Sequence, residues 1–311
     1  MTSCRAEALQ APEALAATAP YALGWIIVEV PGSWGRNAVT DSQLNVDVAT
    51  ALVSRAQGTG TTVLVARRPG RSDEPQSRRV WLAHAAPGGV RMRVLEIHDD
   101  RELLSLDPAG IAAGNSPGIG EKSSEPTLFV CANAKRDQCC AIEGGPLVRA
   151  LSDSLLGDRI WECSHLGGHR FAATALLLPW GLVHGRLTRA SVESIMHSAS
   201  RGELDLDSYR GRTALPRWLQ AAEIAVRREY SILGIEALDV LRVVRGVAVP
   251  GGGPEPTESI DTEVRATDGR AWRVTVTRDQ WTSPRIESCT GEPVSGVTWT
   301  PTPPIPTDSW A

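Results

Sequence analysis

Short apolar segments alternate with helical patterns between residues 127 and 202, and this order most constrains how the chain folds. The run TLFV starts at Thr127, and a helix is predicted from about 145 to 156. RIWEC at 159–163 predicts a second strand, and TALLLPWGLVHGRL predicts two more around a Pro-Trp-Gly turn. Thr188 is a suitable N-cap for a further helix. The order β-α-β-loop-β-β-α predicts an α/β sheet with helices packed on it.

Cysteine and histidine residues follow two of these strands, at the ends where open α/β sheets place their sites. Cys131 directly follows TLFV, and Cys140 ends the stretch CANAKRDQCC, while His165 and His169 follow RIWEC in CSHLGGHRFA. Two thiolates and two imidazoles make a four-ligand set that suits Zn²⁺ or an iron–sulfur cluster. The alternative is a buried strand-end cysteine with ordinary loop histidines. Four such residues in loops at strand ends favour the metal interpretation.

Two glycines, Gly167 and Gly168, separate the histidines. Each would cost a helix about 1 kcal/mol relative to alanine, so a loop is predicted instead. A loop rich in glycine lets the backbone approach a bound group closely. A tight turn alone would explain the glycines but not the histidines.

The composition excludes several classes of protein. The chain has 311 residues, a length that predicts two or three domains. Its net charge of −4 argues against a nucleic-acid-binding face. The apolar run 171–183 is too short to span a membrane, and the N-terminus has no apolar core of a secretory signal. We therefore expect a cytoplasmic protein with no membrane or nucleic-acid partner. Clustered cysteines in such a protein indicate metal or redox chemistry.

The chain is predicted to consist of several consecutive regions. These are an N-terminal α/β region (1–108), a linker (109–126), a thioredoxin-like domain (127–205), a C-terminal α+β region with a helix and a β-hairpin (206–300), and a Pro-rich tail (301–311). The linker contains GNSPGIGEKSS, which differs from a phosphate-binding loop because Glu121 intervenes between Gly120 and Lys122.

The Cys-x8-Cys pattern followed by His-x-Gly-Gly-His resembles the sucrase/ferredoxin-like family, thioredoxin-like ferredoxins with bis-histidinyl [2Fe-2S] clusters. The other matching stretches are RDQCCA (136–141), CSHLGGHRFA (163–172), LPWG (178–181), YRGR (209–212) and DGRAWRVTV (268–276). The N-terminal GWIIVEVPGSWG also resembles the corresponding N-terminal stretch of the family, in which a proline stands at the position of Ser33. The resemblance covers nearly the whole chain.

The resemblance implies that Cys131 and Cys140 bind one iron and that His165 and His169 bind the other. It also implies an electron carrier, rather than a stand-alone enzyme, that works with a separate reductase or acceptor. Histidine ligands raise the reduction potential of such a cluster. An imidazole with its second nitrogen in solvent can take up a proton together with the electron.

Several neighbouring residues are secondary candidates for the site: Cys139, Cys163, Arg136, Gly167, Gly168 and Arg170. Cys139 is vicinal to Cys140 and is an alternative ligand, whereas Cys163 is expected to point into the sheet. Cys4 and Cys289 are distant in sequence and are expected to be structural. Lys135, Arg136 and Arg170 are expected either to dock an acidic partner or to form a solvated rim.

Two other functions use the same residues. A Zn²⁺-binding structural module needs only the same four ligands. A thiol–disulfide oxidoreductase could use Cys139 with Cys140, or Cys131, on the same fold. The oxidoreductase is the weaker alternative because the chain has no Cys-x-x-Cys motif at a helix start.

Overall fold

The structure is a computed structural model that describes residues 3–11, 13–70, 76–89, 91–244, 247–249 and 257–307. Its helices are α1 (Cys4–Gln10), α2 (Val46–Ala56), α3 (Pro108–Ala112), α4 (Gly145–Leu151), α5 (Arg189–Ser200) and α6 (Arg217–Tyr230). The large sheet contains β1 (Gly24–Glu29), β2 (Thr61–Arg67), β3 (Arg78–His84), β4 (Arg91–Ile97), β5 (Glu121–Ser123), β6 (Thr127–Cys131), β7 (Ile160–Cys163), β8 (Ala175–Leu178), β9 (Leu182–His184) and β10 (Tyr209–Arg212). The smaller, antiparallel sheet contains β11 (Leu238–Val244), β12 (Val247–Val249), β13 (Ser259–Ala266), β14 (Ala271–Gln280), β15 (Val297–Pro301) and β16 (Ile305–Thr307).

The large sheet is mixed and runs in the order β10-β9-β8-β6-β7-β2-β1-β3-β4-β5. The pairs β6–β7 and β1–β2 are parallel, whereas β2 and β7 meet in antiparallel orientation at Ala66 and Cys163. Every residue of β6 and of β7 is buried, because the centre of the sheet is covered on both faces. The α/β class is confirmed, and the arrangement is consistent with a thioredoxin-like ferredoxin fold.

The predicted elements of the central segment are present, with one change. Both flanking strands, the β8–β9 hairpin and the Thr188 N-cap are confirmed, and the Thr188 side chain accepts a hydrogen bond from the backbone of Ser191. The helix predicted over 145–156 is shorter, since α4 ends at Leu151 and a π-helical turn, Cys140–Gly144, precedes it. A Cβ on Gly144 would lie 2.0 Å from the Cys131 carbonyl oxygen, so the turn is packed directly against the end of β6.

The smaller sheet packs against α6, which is the helix predicted in the C-terminal α+β region. The β-hairpin predicted in this region is formed by β13 and β14, which turn at Asp268-Gly269. Within the predicted Pro-rich tail, Ile305–Thr307 form β16, which pairs with β14. Residues 308–311 lie outside the described residues.

Strands from both sides of the predicted linker belong to one sheet. The predicted linker itself contains the end of α3 and the short strand β5, which pairs with β4. The division of the chain at residues 108 and 126 remains a prediction. In the described part of the chain, no helix combines the length and apolar character needed to cross a membrane.

Candidate metal centre

The ends of β6 and β7 bring the first predicted ligands together. The two strands are parallel neighbours with Cys131 opposite Cys163, so the loops that follow them start side by side. The donor atoms of Cys131, Cys140 and His165 all lie within 4.8 Å of one another. Two residues from one loop and one from the next thus converge on a single point.

His169 completes this group from the far side of the glycine loop. Its Nδ1 lies 3.3 Å from the sulfur of Cys140. Its ring stacks on that of His165, with the centroids 4.0 Å apart and the planes 13° from parallel. His165 is half-buried, while the other three side chains are buried. We call these four residues the Cys/His group, and their role as ligands remains a prediction.

Two left-handed glycines shape the loop between the histidines. Gly167 has φ +81° and Gly168 has φ +75°, a backbone region that residues other than glycine rarely adopt. A Cβ on Gly168 would lie only 2.4 Å from Nη2 of Arg210, whereas Gly167 faces open space. Gly168 therefore lies directly against a buried arginine, and the close approach of this loop to a bound group stays a prediction.

Arg210 is a site residue that sequence reasoning left without a role. Its guanidinium donates hydrogen bonds to the Gly167 carbonyl at 3.2 Å and to the Thr18 carbonyl at 2.6 Å. Burial, together with the nearby charges of Arg170 and Arg217, lowers the pKa of Arg210 to about 9, so it remains a cation at neutral pH. The family-like stretch YRGR was the available signal, but a motif match alone assigns no contact.

The charge states of Cys131 and His169 favour binding of a soft cation. A hydrogen bond from the Cys140 thiol, aided by His165, lowers the pKa of Cys131 well below its usual range and raises that of Cys140. Burial, reinforced by the charge of His165, lowers the pKa of His169 to about 4, so its imidazole is neutral at pH 7. A thiolate and a neutral imidazole are the forms in which these residues bind metals.

The positive residues near the group differ from the predicted docking rim. Lys135 is exposed and Arg136 is half-buried. Arg170 is only 6% exposed and forms ion pairs with Glu13 at 2.7 Å and with Glu287 at 2.8 Å. Arg170 therefore does not belong to a rim. It ties the N-terminal and C-terminal segments to the histidine loop, because a buried guanidinium needs carboxylate partners.

The remaining cysteines divide between the sheet and a second group. Cys163 is fully buried in the core beneath the sheet, as predicted. Cys139 points away from the Cys/His group towards Cys4 and Cys289. Cys4 and Cys289, which are distant in sequence and were expected to be structural, are both brought by folding to Cys139. With Asp137, which sequence reasoning also missed, they form a set whose donor atoms lie within 4.8 Å of one another.

A large surface pocket opens beside the Cys/His group. It has a volume of about 610 Å³ and its lining includes His165, Arg136, Asn133 and Arg36. His165 is thereby the member of the group with a route to solvent. Such an opening allows proton exchange, or the approach of another molecule, without exposing the thiols.

Comparison with known proteins agrees with a redox or metal-binding role. Altered inheritance of mitochondria protein 32 from Candida glabrata is 28% identical over 109 residues, which cover 30% of this chain and 35% of that protein. The matched part is thus about a third of that relative's length, and no solved structure matches the chain. The sequence profile of the sucrase/ferredoxin-like family matches residues 15–211, more than half of the chain and all of the Cys/His group. The chain therefore belongs to the sucrase/ferredoxin-like family.

Proposed function

We propose that the chain is an electron-transfer protein that holds a [2Fe-2S] cluster on Cys131, Cys140, His165 and His169. The observation that carries this proposal is the convergence of two thiols and two stacked imidazoles at the adjacent ends of two parallel strands. Family membership supports it independently.

The donor set fits a binuclear cluster with mixed ligands. Thiolates and imidazoles are the side chains that hold [2Fe-2S] centres in proteins, and two of each complete the coordination. The two cysteines come from the β6 loop and the two histidines from the β7 loop, so each loop supplies one pair. A bound cluster would supply a one-electron redox couple at this position.

Burial of the thiols protects them from water and oxidants. Cys131 and Cys140 are each 1% exposed and pack in one core with Trp161 and Phe129. An apolar surrounding lowers the local dielectric constant and strengthens nearby charge interactions. The charge on buried Arg210 then favours the extra electron, which raises the reduction potential.

His165 is the residue that would couple proton uptake to reduction. It is half-buried and lines the pocket that also contains Arg136, whereas His169 is buried and lies near Asp137. An imidazole at the surface can exchange a proton with water, and one enclosed by protein cannot do so directly. The same pocket, with Lys135 nearby, offers a partly basic surface to a separate redox partner.

The test is to purify the full chain without oxygen from iron-replete cells and to measure iron, acid-labile sulfide and visible absorption. We expect equal amounts of iron and sulfide, a coloured protein, and loss of both in Cys131→Ser. Cys163→Ser is the matched control, because Cys163 is buried in the same core but lies outside the Cys/His group.

Two results would contradict the proposal. A colourless protein with zinc that Cys131→Ser removes would identify a structural zinc site. A metal-free protein with a disulfide between Cys131 or Cys139 and Cys140 would instead identify a thiol–disulfide oxidoreductase.

A further inference from the structure

We propose that Cys4, Cys139, Cys289 and Asp137 form a second metal site, specific for Zn²⁺ and separate from the Cys/His group. We call these four residues the Cys₃Asp group. This inference goes beyond the proposed electron transfer and does not depend on it, since no residue belongs to both groups.

The three sulfurs form a nearly equilateral triangle. The distances are 3.5 Å from Cys4 to Cys139, 3.2 Å from Cys139 to Cys289 and 3.5 Å from Cys289 to Cys4. Tetrahedral zinc with Zn–S bonds of about 2.3 Å places its sulfurs about 3.8 Å apart. An outward shift of a few tenths of an ångström would therefore fit one zinc ion among the three thiolates.

A disulfide accounts for this arrangement less well. It joins two sulfurs at about 2.05 Å and leaves the third without a partner. Three equivalent sulfurs with a carboxylate beside them match four-coordinate binding of one ion instead.

Asp137 is positioned as the fourth ligand. Its side chain is fully buried, and Oδ1 accepts a hydrogen bond from the Cys139 backbone at 2.9 Å. Oδ2 accepts from the Cys289 backbone at 2.9 Å and from the Ser288 hydroxyl at 3.0 Å. A carboxylate oxygen has two lone pairs, so Oδ1 retains the capacity to bind a cation. Oxygen in the donor set favours Zn²⁺ over Cu⁺, which prefers sulfur alone.

The site connects three segments that are far apart in the chain. Cys4 starts α1, Cys139 directly precedes the π-helical turn, and Cys289 lies between β14 and β15. The Arg170 ion pairs to Glu13 and Glu287 bring the outer two segments to the histidine loop. The apolar contacts are few, since the buried members of this small cluster are Cys4, Cys139 and Ala172. A metal bond here would cross-link regions that little apolar packing holds.

The charges near the group suit a bound dication. Three thiolates and one carboxylate carry four negative charges, and Zn²⁺ neutralises half of them. The backbone N–H of Arg5 hydrogen-bonds the Cys139 sulfur, and its side chain donates to the Ala172 carbonyl at 2.9 Å. Hydrogen bonds of this kind stabilise zinc-bound thiolates and fix their orientation.

The first experiment measures zinc and iron per chain in the full protein and in single variants. We expect about one zinc in the wild type, and its loss in Cys4→Ser and in Cys289→Ser with iron unchanged. Cys163→Ser, the matched control, should keep both metals. Zinc below a tenth of an equivalent after growth with added zinc, or zinc retained in Cys289→Ser, would overturn the proposal.

A second experiment takes its main result from the wild type and uses variants only to assign the site. Titration of metal-depleted wild type with Co²⁺ should give intense near-ultraviolet absorption from sulfur bonds to the metal, and Zn²⁺ should displace it. We expect Cys289→Ser to weaken Co²⁺ binding by at least about 100-fold. Titration without these bands in a folded protein would overturn the proposal. Bands that only Cys131→Ser abolishes would assign the metal to the Cys/His group and overturn the proposal of a second site, without bearing on the proposed cluster.

Discussion

The Cys/His group and the Cys₃Asp group each take one cysteine of the vicinal pair Cys139-Cys140, yet they are built differently. The Cys/His group takes all its residues from two loops at the ends of adjacent parallel strands, within 131–169. The Cys₃Asp group takes residues from positions 4, 137–139 and 289. One loop thus supplies each group with a cysteine, and successive side chains point to different centres.

The two groups also differ in access to solvent. His165 lines the surface pocket, so one member of the Cys/His group has a route to solvent. In the Cys₃Asp group only Cys289 is partly exposed, and the other three residues are buried. The difference suits the two proposals, because proton exchange needs one exposed donor, whereas a cross-link is best enclosed.

The largest expected effect comes from replacing each of the two vicinal cysteines in turn. Cys140→Ser should abolish bound iron, because it removes one of the two thiols of the Cys/His group. Cys139→Ser should leave iron unchanged and abolish bound zinc. Metal analysis of the two variants, purified in parallel, measures both effects. Loss of iron from Cys139→Ser together with its retention in Cys140→Ser would reverse our assignment of the pair.

A buried histidine outside both groups, His184, provides a further comparison, because its protonation affects folding stability alone. Burial lowers the pKa of His184 to about 4, and its Nδ1 contacts the Ser208 hydroxyl at 3.0 Å. Among the described residues Nε2 has no hydrogen-bond partner, and Asp205 and Arg210 are the nearby charges. The unfolded chain, with a pKa near 6.5, binds the proton more readily. The neutral His184 therefore makes its full contribution to folding stability above pH 6.5, and this contribution is lost as the pH falls towards 4.

The variant His184→Gln measures this contribution. Between pH 7 and pH 5 the wild type should lose about 2 kcal/mol more of its free energy of unfolding than the variant does. Urea unfolding at both pH values gives the difference. Equal pH dependence in the two proteins would show that His184 is not held neutral by burial.

The smallest expected effect compares the two loop glycines. Gly167→Ala should cost about 1–2 kcal/mol of stability, because alanine disfavours the left-handed backbone. Gly168→Ala should cost at least about 1 kcal/mol more, since its Cβ would collide with Arg210. Denaturant unfolding of both variants measures the difference. Equal losses would mean that Arg210 moves aside freely and does not fix the loop.

The local parts of this structure could be predicted from sequence, and the non-local parts could not. β6 and β7 follow from their apolar runs, and the four residues of the Cys/His group follow from their positions after those strands. Spacing in the sequence predicts that two residues lie close together only where the elements that carry them are neighbours in the sheet. Cys4 and Cys289 meet where Arg170 forms ion pairs with its two carboxylate partners. No sequence pattern near either cysteine predicts that these segments come together.

Asp137 and Arg210 illustrate a second limit. Both lie in motifs that are visible in the sequence, RDQCC and YRGR. Their roles depend on side-chain direction: the Asp137 carboxylate turns towards Cys139 and Cys289, and the Arg210 guanidinium turns towards the Gly167 carbonyl. A motif locates such residues but does not determine which partner they contact, because that choice is made by tertiary packing.

The most direct test of the central claim is pulsed electron paramagnetic resonance of the reduced protein, produced with ¹⁵N-labelled histidine. The account predicts a [2Fe-2S] signal coupled to two histidine nitrogens, with a lower average g-value than that of an all-thiolate cluster. His165→Ala and His169→Ala should each remove one of the couplings. A reduced cluster whose signal shows no histidine coupling, or the absence of any such signal in an iron-loaded protein, would contradict the assignment of the four ligands.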